Sequence, residues 1–593
     1  MVLDSSSLRR WALATLVLGA GCATPSVTAS PSPAPAPAVT APRPEAPRSP
    51  DARLSQEALR ADLRQLVRLL EDSHPDPYSR AGGRIAFHRR VDELLRTLPP
   101  EGMTVEAFYR HVRPLVASLR DGHTFLRPPT QVAASAPLPL EFDAVEERLY
   151  VSRVFRDELR PLLGATLVGV EGTPFEVLSS RMALVRSADN RYHNLRNLTG
   201  SLRSLSSLGA LLEQPSLSGP VRFALRRPDG SLVTVPVEPV EATSAGKGST
   251  PPSRLSLPAP DAADLAWSFL SPDKSVALLR IDSMARYREA FEMWRALGMS
   301  FALGDHLTSV ASAAGHPELT GVDERIAVIP SATDAFRDLF SAMRRERTAT
   351  LIVDLRRNSG GNSFLANILG YFLAPREALL GIDTGYSVRR YSPLYFQSNQ
   401  EDSLEKLRER TGLPLESGDL DFSEERAWRE QRREGLTPAV LARRWEELQQ
   451  SAALTPTFAE ELQSGTFSAS WSPRVIVLTS AHTYSAGFDL LVLLRALGAT
   501  VVGVPSAQSG NCFIDAVPFS LGHSGLAGSL SLKYSLLYPE DPENGELLRP
   551  DRELRYEELA ALGFDPNASV LLALEAVAPS PAPAATGRPH RAP

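Results

Sequence analysis

VIVLTSAHTYSAGFDLLVLLRALGATVVGV, residues 475–504, runs from an apolar strand-like segment through a short polar turn into an apolar helix-like segment, then into a second strand. Strand, helix and strand in that order imply parallel pairing and a right-handed crossover, so the stretch belongs to an α/β sheet. Ser485 sits at the turn where the helix begins. There, unpaired backbone N–H groups and the helix dipole favour a developing negative charge. TYSAG differs from the GxSxG elbow only in Thr483, which replaces the first glycine. A serine before a helix is also a common N-cap, so the stretch alone leaves two readings open.

Ligands of an open parallel sheet bind at the carboxyl ends of its strands. A second loop at such an end is NSGG, 358–361, after the strand-like TATLIVDLR and before a helical run. Gly360 and Gly361 let a backbone N–H approach a reacting carbonyl without side-chain obstruction. Gly360 or Gly361, together with Ala486, can form an oxyanion hole, and losing one such donor costs about 2.7–4 kcal/mol of barrier lowering. A serine nucleophile needs a base within hydrogen-bond reach. His123 in RDGHT, His482 in the turn and Lys533 in a Ser–Lys dyad are the candidates, and spacing does not choose among them. Asn358 reads as a residue that shapes its turn, Cys512 as a small buried thiol and Asp489 as a cap or solvated group. His523 has no assigned role.

Outward from this core the chain divides. Leu59, Leu63, Leu66, Val67 and Leu70 share one helical face, and further helical segments follow near 84–97 and 104–119. Residues 54–130 therefore read as a helical N-terminal cap carrying the DGH motif. Residues 136–241 are β-rich, with a hairpin turn at Pro228-Asp229-Gly230; their order of elements points to a PDZ-like module able to bind extended peptide by strand addition. Residues 242–262 form a linker, and 263–576 the α/β core. Insertions at 284–330 and 373–470 are long enough to form lids. In the second, Thr437 is the expected N-cap of TPAVLARRWEELQQ, with Pro438 at the first helical position.

The 593 residues are 43% hydrophobic and 22% charged, with a formal net charge of −6 from 63 basic and 69 acidic side chains. This composition fits a multidomain globular chain and gives no basic stripe for nucleic acid. Arg9, Arg10 and the apolar WALATLVLGAG read as a signal peptide over 1–21, too short to span a bilayer comfortably. It ends at Cys22 in LGAGC, which resembles a lipoprotein processing box with Gly19 in place of a branched residue. Nine prolines between Pro25 and Pro50 make residues 22–53 an extended tether. Residues 577–593 read as a disordered tail. Cys22 and Cys512 are the only cysteines, which excludes Cys-rich zinc sites; HExxH and phosphate-loop motifs are absent. No metal or cofactor is expected, and membrane contact is expected only through a lipid anchor at Cys22.

RDGHTFL, LIVDLRRNSGGN, VLTSAHTYSAGFDLL and GATVVGVPSAQSGN occur in the order found in the C-terminal-processing, or tail-specific, serine peptidases and the related tricorn core. FSLGHSGLAGSLSLKY, GELLRPDREL and, in the cap, HPDPY of the bacterial secreted branch also resemble that family, over roughly 54–128 and 263–560. The resemblance implies a crotonase-like α/β peptidase core with Ser485 as nucleophile. It also separates the bases. Asn511 stands where the tail-specific branch has its lysine, which argues against a Ser–Lys dyad, while His123 matches the histidine of the tricorn-like branch. That branch has a serine just before the histidine and a late glutamate; here Gly122 precedes His123, and Glu546 is the candidate orienting acid.

The sequence thus reads as an exported serine peptidase acting on peptides or proteins, held as an outer-membrane lipoprotein facing the periplasm or cell surface. Two other readings remain open: an inactive ligand- or peptide-binding homologue on the same scaffold, favoured by the missing lysine and by Gly122, and an esterase-like hydrolase with a cleft narrowed by the insertions.

Overall fold

The computed structural model describes residues 49–129, 137–214, 217–240, 248–299, 302–399, 402–465 and 472–577. The expected signal peptide, Cys22 and most of the two proline-rich ends lie outside the described residues. At the centre is a six-stranded sheet in the order Leu265–Phe269, Val276–Ile281, Thr350–Asp354, Arg474–Thr479, Thr500–Gly503 and Arg552–Glu553. Only the first pair is antiparallel. Thr350–Asp354 is buried along its whole length, as a strand covered on both faces must be.

Alternate side chains of these strands enter different cores. Leu279, Leu351, Val353, Val477 and Val501 pack with the helices Ala332–Glu346, Phe364–Leu373 and Ala486–Ala496. Leu278, Ile352, Ile476, Leu478 and Val502 face the other way and join the core of the β-rich region. That region is an antiparallel sheet whose main path runs Leu140–Val145, Arg148–Val154, Thr166–Val170, Val221–Arg226 and Leu232–Val237. Helices Phe175–Val185, Arg191–Leu202 and Leu205–Leu211 are inserted into it. The β-rich region is therefore seated on the central sheet rather than tethered beside it.

A third sheet brings the distant ends of the chain together. The hairpin Asn511–Ser520 and Ala527–Leu536 carries Tyr386–Arg390 on its outer side. The two-residue strand Phe125–Leu126, directly after the DGHT loop, pairs with Gly528 and Ser529. Ser531 N donates to Thr124 Oγ1 at 3.0 Å, so the loop is pinned on both sides of its turn. Behind it stand the cap helices Gln56–Ser73, Arg84–Arg96 and Val105–Ala117. The first is capped by Ser55 and buries Leu59, Leu63, Leu66 and Leu70 completely.

The insertions are not free lids. Helix Pro438–Ala452, capped by Thr437 with proline in its first turn, and helix Pro456–Ser464 put Leu448, Ala452 and Phe458 into the main core. Tyr386–Arg390 and Leu420–Asp421 extend the third sheet. An element that buries this much apolar surface is part of the scaffold, because exposing it costs about 25 cal/mol per Å².

Candidate active site

Two loops at the carboxyl ends of adjacent parallel strands build the site. Asp354 leads into Asn358–Gly361, and Thr479 into Ser480–Ser485. They are stitched together: Thr483 Oγ1 donates to Leu355 O at 2.9 Å, and Tyr484 N donates to Asn358 O at 3.0 Å. Asn358 does shape its turn, since its Nδ2 donates to Ile281 O and its Oδ1 accepts from Gly360 N.

Ser485 has φ 52° and ψ −130°, a left-handed conformation that is costly for a residue with a Cβ. Such strain amounts to about 1–3 kcal/mol and persists only where the surroundings enforce it. Here Gln508 Oε1 accepts the Ser485 N–H at 2.6 Å, and helix Ala486–Ala496 starts at the next residue. The close approach of the loops also demands glycine at 360. A Cβ there, already at φ 104°, would lie 2.5 Å from Ser485 Cβ.

Gly360 and Gly361 part company as oxyanion donors. The Gly360 N–H is turned into its own loop toward Asn358. Gly361 flanks the bonds Met284 N to Gly360 O and Asn362 N to Met284 O without contributing its N–H to either. Gly361 and Ala486 therefore remain as candidate donors, and Gly360 is removed from the pair.

His123 arrives from the opposite side with Nε2 3.3 Å from Ser485 Oγ. Its Nδ1 lies 3.0 Å from the Tyr484 hydroxyl, and the two rings stack at 4.8 Å. The orienting acid expected at Glu546 is not there: Glu546 is exposed at the end of helix Pro542–Glu546 and, among the described residues, does not bond His123. The group on Nδ1 is the side chain next to the serine itself. Tyr484 is buried, and burial, reinforced by the Asp189 and Asp121 carboxylates, pushes its phenol well above the ordinary range. It is a neutral hydroxyl, able both to donate and to accept.

Asp121 fixes the loop that carries His123. It accepts from His123 N at 2.9 Å and meets His74 Nε2 at 3.2 Å, so the histidine of HPDPY acts from within the cap. Burial alone would raise the Asp121 carboxyl; the His74 hydrogen bond and the positive charges it faces outweigh it and hold the group at about 2. On the other flank Asp189, from the β-rich region, accepts the Gly122 N–H at 2.7 Å.

The rival bases are engaged elsewhere. Lys533 Nζ pairs with Asp515 at 3.2 Å, and His482 Nε2 meets Asp143 at 3.3 Å. Asp489 is buried and accepts from Ser363 Oγ at 2.7 Å, tying the helix to the glycine loop. Asn511 bonds the backbone of Tyr538, and Cys512 is fully buried with its thiol pushed up by burial.

Gly122 is explained by space. Its backbone is not in the left-handed region, yet a Cβ would stand 2.4 Å from the Tyr484 hydroxyl and 2.2 Å from His193 Cε1. The serine of the tricorn-like pattern does not fit where tyrosine occupies the space. Sequence reasoning missed Tyr484, Asp189 and Gln508. The one signal for them was that departure at Gly122 read together with a bulky residue beside Ser485.

Residues 318–514, which include the glycine loop and Ser485, match the model of peptidase family S41. The solved structure of mature CPAF complexed with lactacystin is 14% identical, with a TM-score of 0.52 over 88% of this chain and 98% of that one. A crystal structure of mature CPAF is 15% identical, with a TM-score of 0.51 over 88% and 97%. At these identities the likeness is one of fold. No curated protein matches the sequence. The family match gives residues 318–514 a domain of peptidase family S41 and with it a serine-type peptidase assignment.

Proposed function

We propose that Ser485 is the nucleophile and His123 its general base. Ser485 Oγ attacks the scissile carbonyl of a peptide or protein substrate while His123 Nε2 takes the hydroxyl proton and later returns it to the leaving amine. The negative charge on the carbonyl oxygen is met by the N–H groups of Ala486, at the start of its helix, and of Gly361, in the glycine loop. One observation carries the reading: two residues 362 apart in sequence lie 3.3 Å apart, Nε2 to Oγ, at a strained strand-to-helix turn.

Export and lipidation at Cys22 belong to the same proposal, supported by Arg9, Arg10 and the apolar run that ends at LGAGC. The β-rich module is the part assigned to receive an extended peptide, a reading supported by its edge strand Leu232–Val237, which among the described residues pairs only with Val221–Arg226.

The test is fluorophosphonate labelling of the full chain, located by mass spectrometry, beside peptide hydrolysis. Labelling at Ser485 that disappears in His123→Ala is expected. Labelling that survives His123→Ala, or a folded protein that never labels, refutes the assignment. Export is tested separately by cell fractionation, where Cys22→Ser is expected to release the protein from the membrane fraction.

A further inference from the structure

We propose that Asp189 is a positioning residue that sets the tautomer of His123 through the hydroxyl of Tyr484. The inference rests on the assignment of Ser485 and His123 as nucleophile and base, and it adds a member from a different part of the chain. For His123 Nε2 to accept the serine proton, that nitrogen must carry a lone pair and Nδ1 must carry the hydrogen. Nδ1–H then donates to Tyr484 Oη at 3.0 Å, and the phenol has to place its own hydrogen elsewhere.

Asp189 offers the acceptor. Its Oδ1 is taken by the Gly122 N–H at 2.7 Å, while Oδ2 is buried and, among the described residues, has no hydrogen bond of ordinary geometry. A buried carboxylate oxygen left unpaired is costly and calls for a donor. His193 does not fill that role: its Nδ1, 3.9 Å from Oδ2, already accepts the Asp189 backbone N–H. Burial, then Arg196 and the other positive charges around it, pull the His193 pKa well below its usual value, so the ring is neutral. Tyr484 is the donor at hand. Its hydroxyl occupies the space over Gly122, the residue that Oδ1 also holds, and its ring lies edge-on to His193 at 4.7 Å.

The other groups facing this pair are Asp121 and Arg80 from the cap, Cys512 from the hairpin, and Arg196 over the Tyr484 ring at 5.7 Å. Burial, with the neighbouring Asp121 carboxylate, raises the Asp189 carboxyl to about 6 against the opposing pull of a charged His123 and the Gly122 N–H.

In the reaction one proton moves, from Ser485 Oγ to His123 Nε2. The Nδ1 hydrogen stays on the resulting imidazolium, the phenolic hydrogen stays on Tyr484, and Asp189 remains a carboxylate. Asp189→Asn keeps an oxygen for Gly122 N–H but puts an NH2 group where Oδ2 stands. That group donates to Tyr484 Oη, turns the phenolic hydrogen toward Nδ1, and leaves Nε2 protonated against the serine.

The test is the rate of fluorophosphonate labelling at Ser485 across pH in the full chain, for Asp189→Asn, Tyr484→Phe and the double variant. Asp189→Asn is expected to slow labelling on the order of 100-fold or more and to displace its acid limb. In the Tyr484→Phe background it is expected to add nothing, because the route is already cut. Wild-type labelling by Asp189→Asn, or effects that multiply in the double variant, overturns the proposal while leaving Ser485 as nucleophile. Absence of labelling in the wild type overturns both. Should the variants not fold, imidazole nitrogen NMR of the wild type decides, with the His123 signals identified by their loss in His123→Ala. Hydrogen on Nδ1 in the resting enzyme supports the proposal, and hydrogen on Nε2 overturns it.

Discussion

Asp121 and Asp189 flank the same dipeptide, Gly122-His123, from opposite sides, and both are shut away from solvent. Asp121, on the cap side, has a donor for each oxygen and is held at about 2. Asp189, on the side of the β-rich region, has one oxygen held by the Gly122 N–H and the other, among the described residues, without a bond of ordinary geometry, and is raised to about 6. The same chemical group in the same degree of burial is stabilised in one place and strained in the other. The difference lies in partners, since hydrogen bonds to a carboxylate favour its charged form and bare burial opposes it. A fully satisfied carboxylate anchors a loop; one held with a spare lone pair is available to orient another group.

The largest expected effects fall on the groups that touch the reacting atoms. Ser485→Ala is expected to lower kcat/KM for a peptide substrate by about 10⁴- to 10⁶-fold, and His123→Ala by a similar factor, with the double variant no worse than either alone. Steady-state hydrolysis by the purified chain checks this; multiplicative losses would show that the two do not act as a unit. Next in size is Gly122→Ser, which restores the residue of the tricorn-like pattern. Because a Cβ there meets the Tyr484 hydroxyl at 2.4 Å, the variant is expected to lose about 100-fold or more in activity. Its stability should fall by about 1–3 kcal/mol. Tyr484→Phe vacates the hydroxyl's space but leaves the closer contact with His193 Cε1 at 2.2 Å, so in the Gly122→Ser background it should recover only part of the stability and none of the activity.

The comparison of the two aspartates sharpens into opposite dependences on pH. Asp121 has a folded pKa of about 2 against an ordinary 3.8, so its contribution is present above pH 4 and is lost as pH falls toward 2. Asp189 has a folded pKa of about 6 against the same 3.8; its protonated form favours the fold, and that contribution is lost as pH rises from 4 through 6. Urea unfolding at neutral pH is expected to show Asp121→Asn destabilised by about 2–3 kcal/mol. Asp189→Asn is expected to match the wild type or exceed it, by up to about 3 kcal/mol above pH 6. Equal destabilisation by both would mean that burial does not raise the Asp189 carboxyl above the ordinary range.

The parts of this site that were legible in the sequence are those set by short-range rules. The apolar spacing of Leu59 to Leu70, the Thr437-Pro438 cap and the run from Val475 to Val504 each state a local structure in the residues that form it. The glycine pair was legible because close approach of two loops leaves little alternative, although which N–H faces the oxyanion was not: Asn358 decides that by claiming Gly360. The partner of His123 was illegible for a different reason. Tyr484 is adjacent to Ser485 in the chain, yet its hydroxyl acts only because Phe125–Leu126 docks on the distant hairpin and carries His123 to it. Asp189 lies in a loop of the β-rich region with no motif around it. Its role depends on how that region seats on the central sheet, information carried by packing rather than by pattern.

His482 gives the smallest effect and the sharpest break between nearness in sequence and nearness in space. It is three residues from Ser485, but its ring points toward Asp143 of the β-rich region, with both side chains about two-fifths exposed. An exposed pair of this kind contributes at most about 1 kcal/mol, screened further by salt. His482→Ala is therefore expected to leave kcat/KM within about twofold and to lower stability by less than about 1 kcal/mol. A large loss of activity with the fold intact would place a second histidine in the reaction. A large loss of stability would instead mean that this one contact carries much of the seating of the β-rich region, and with it the position of Asp189 against the Tyr484 hydroxyl.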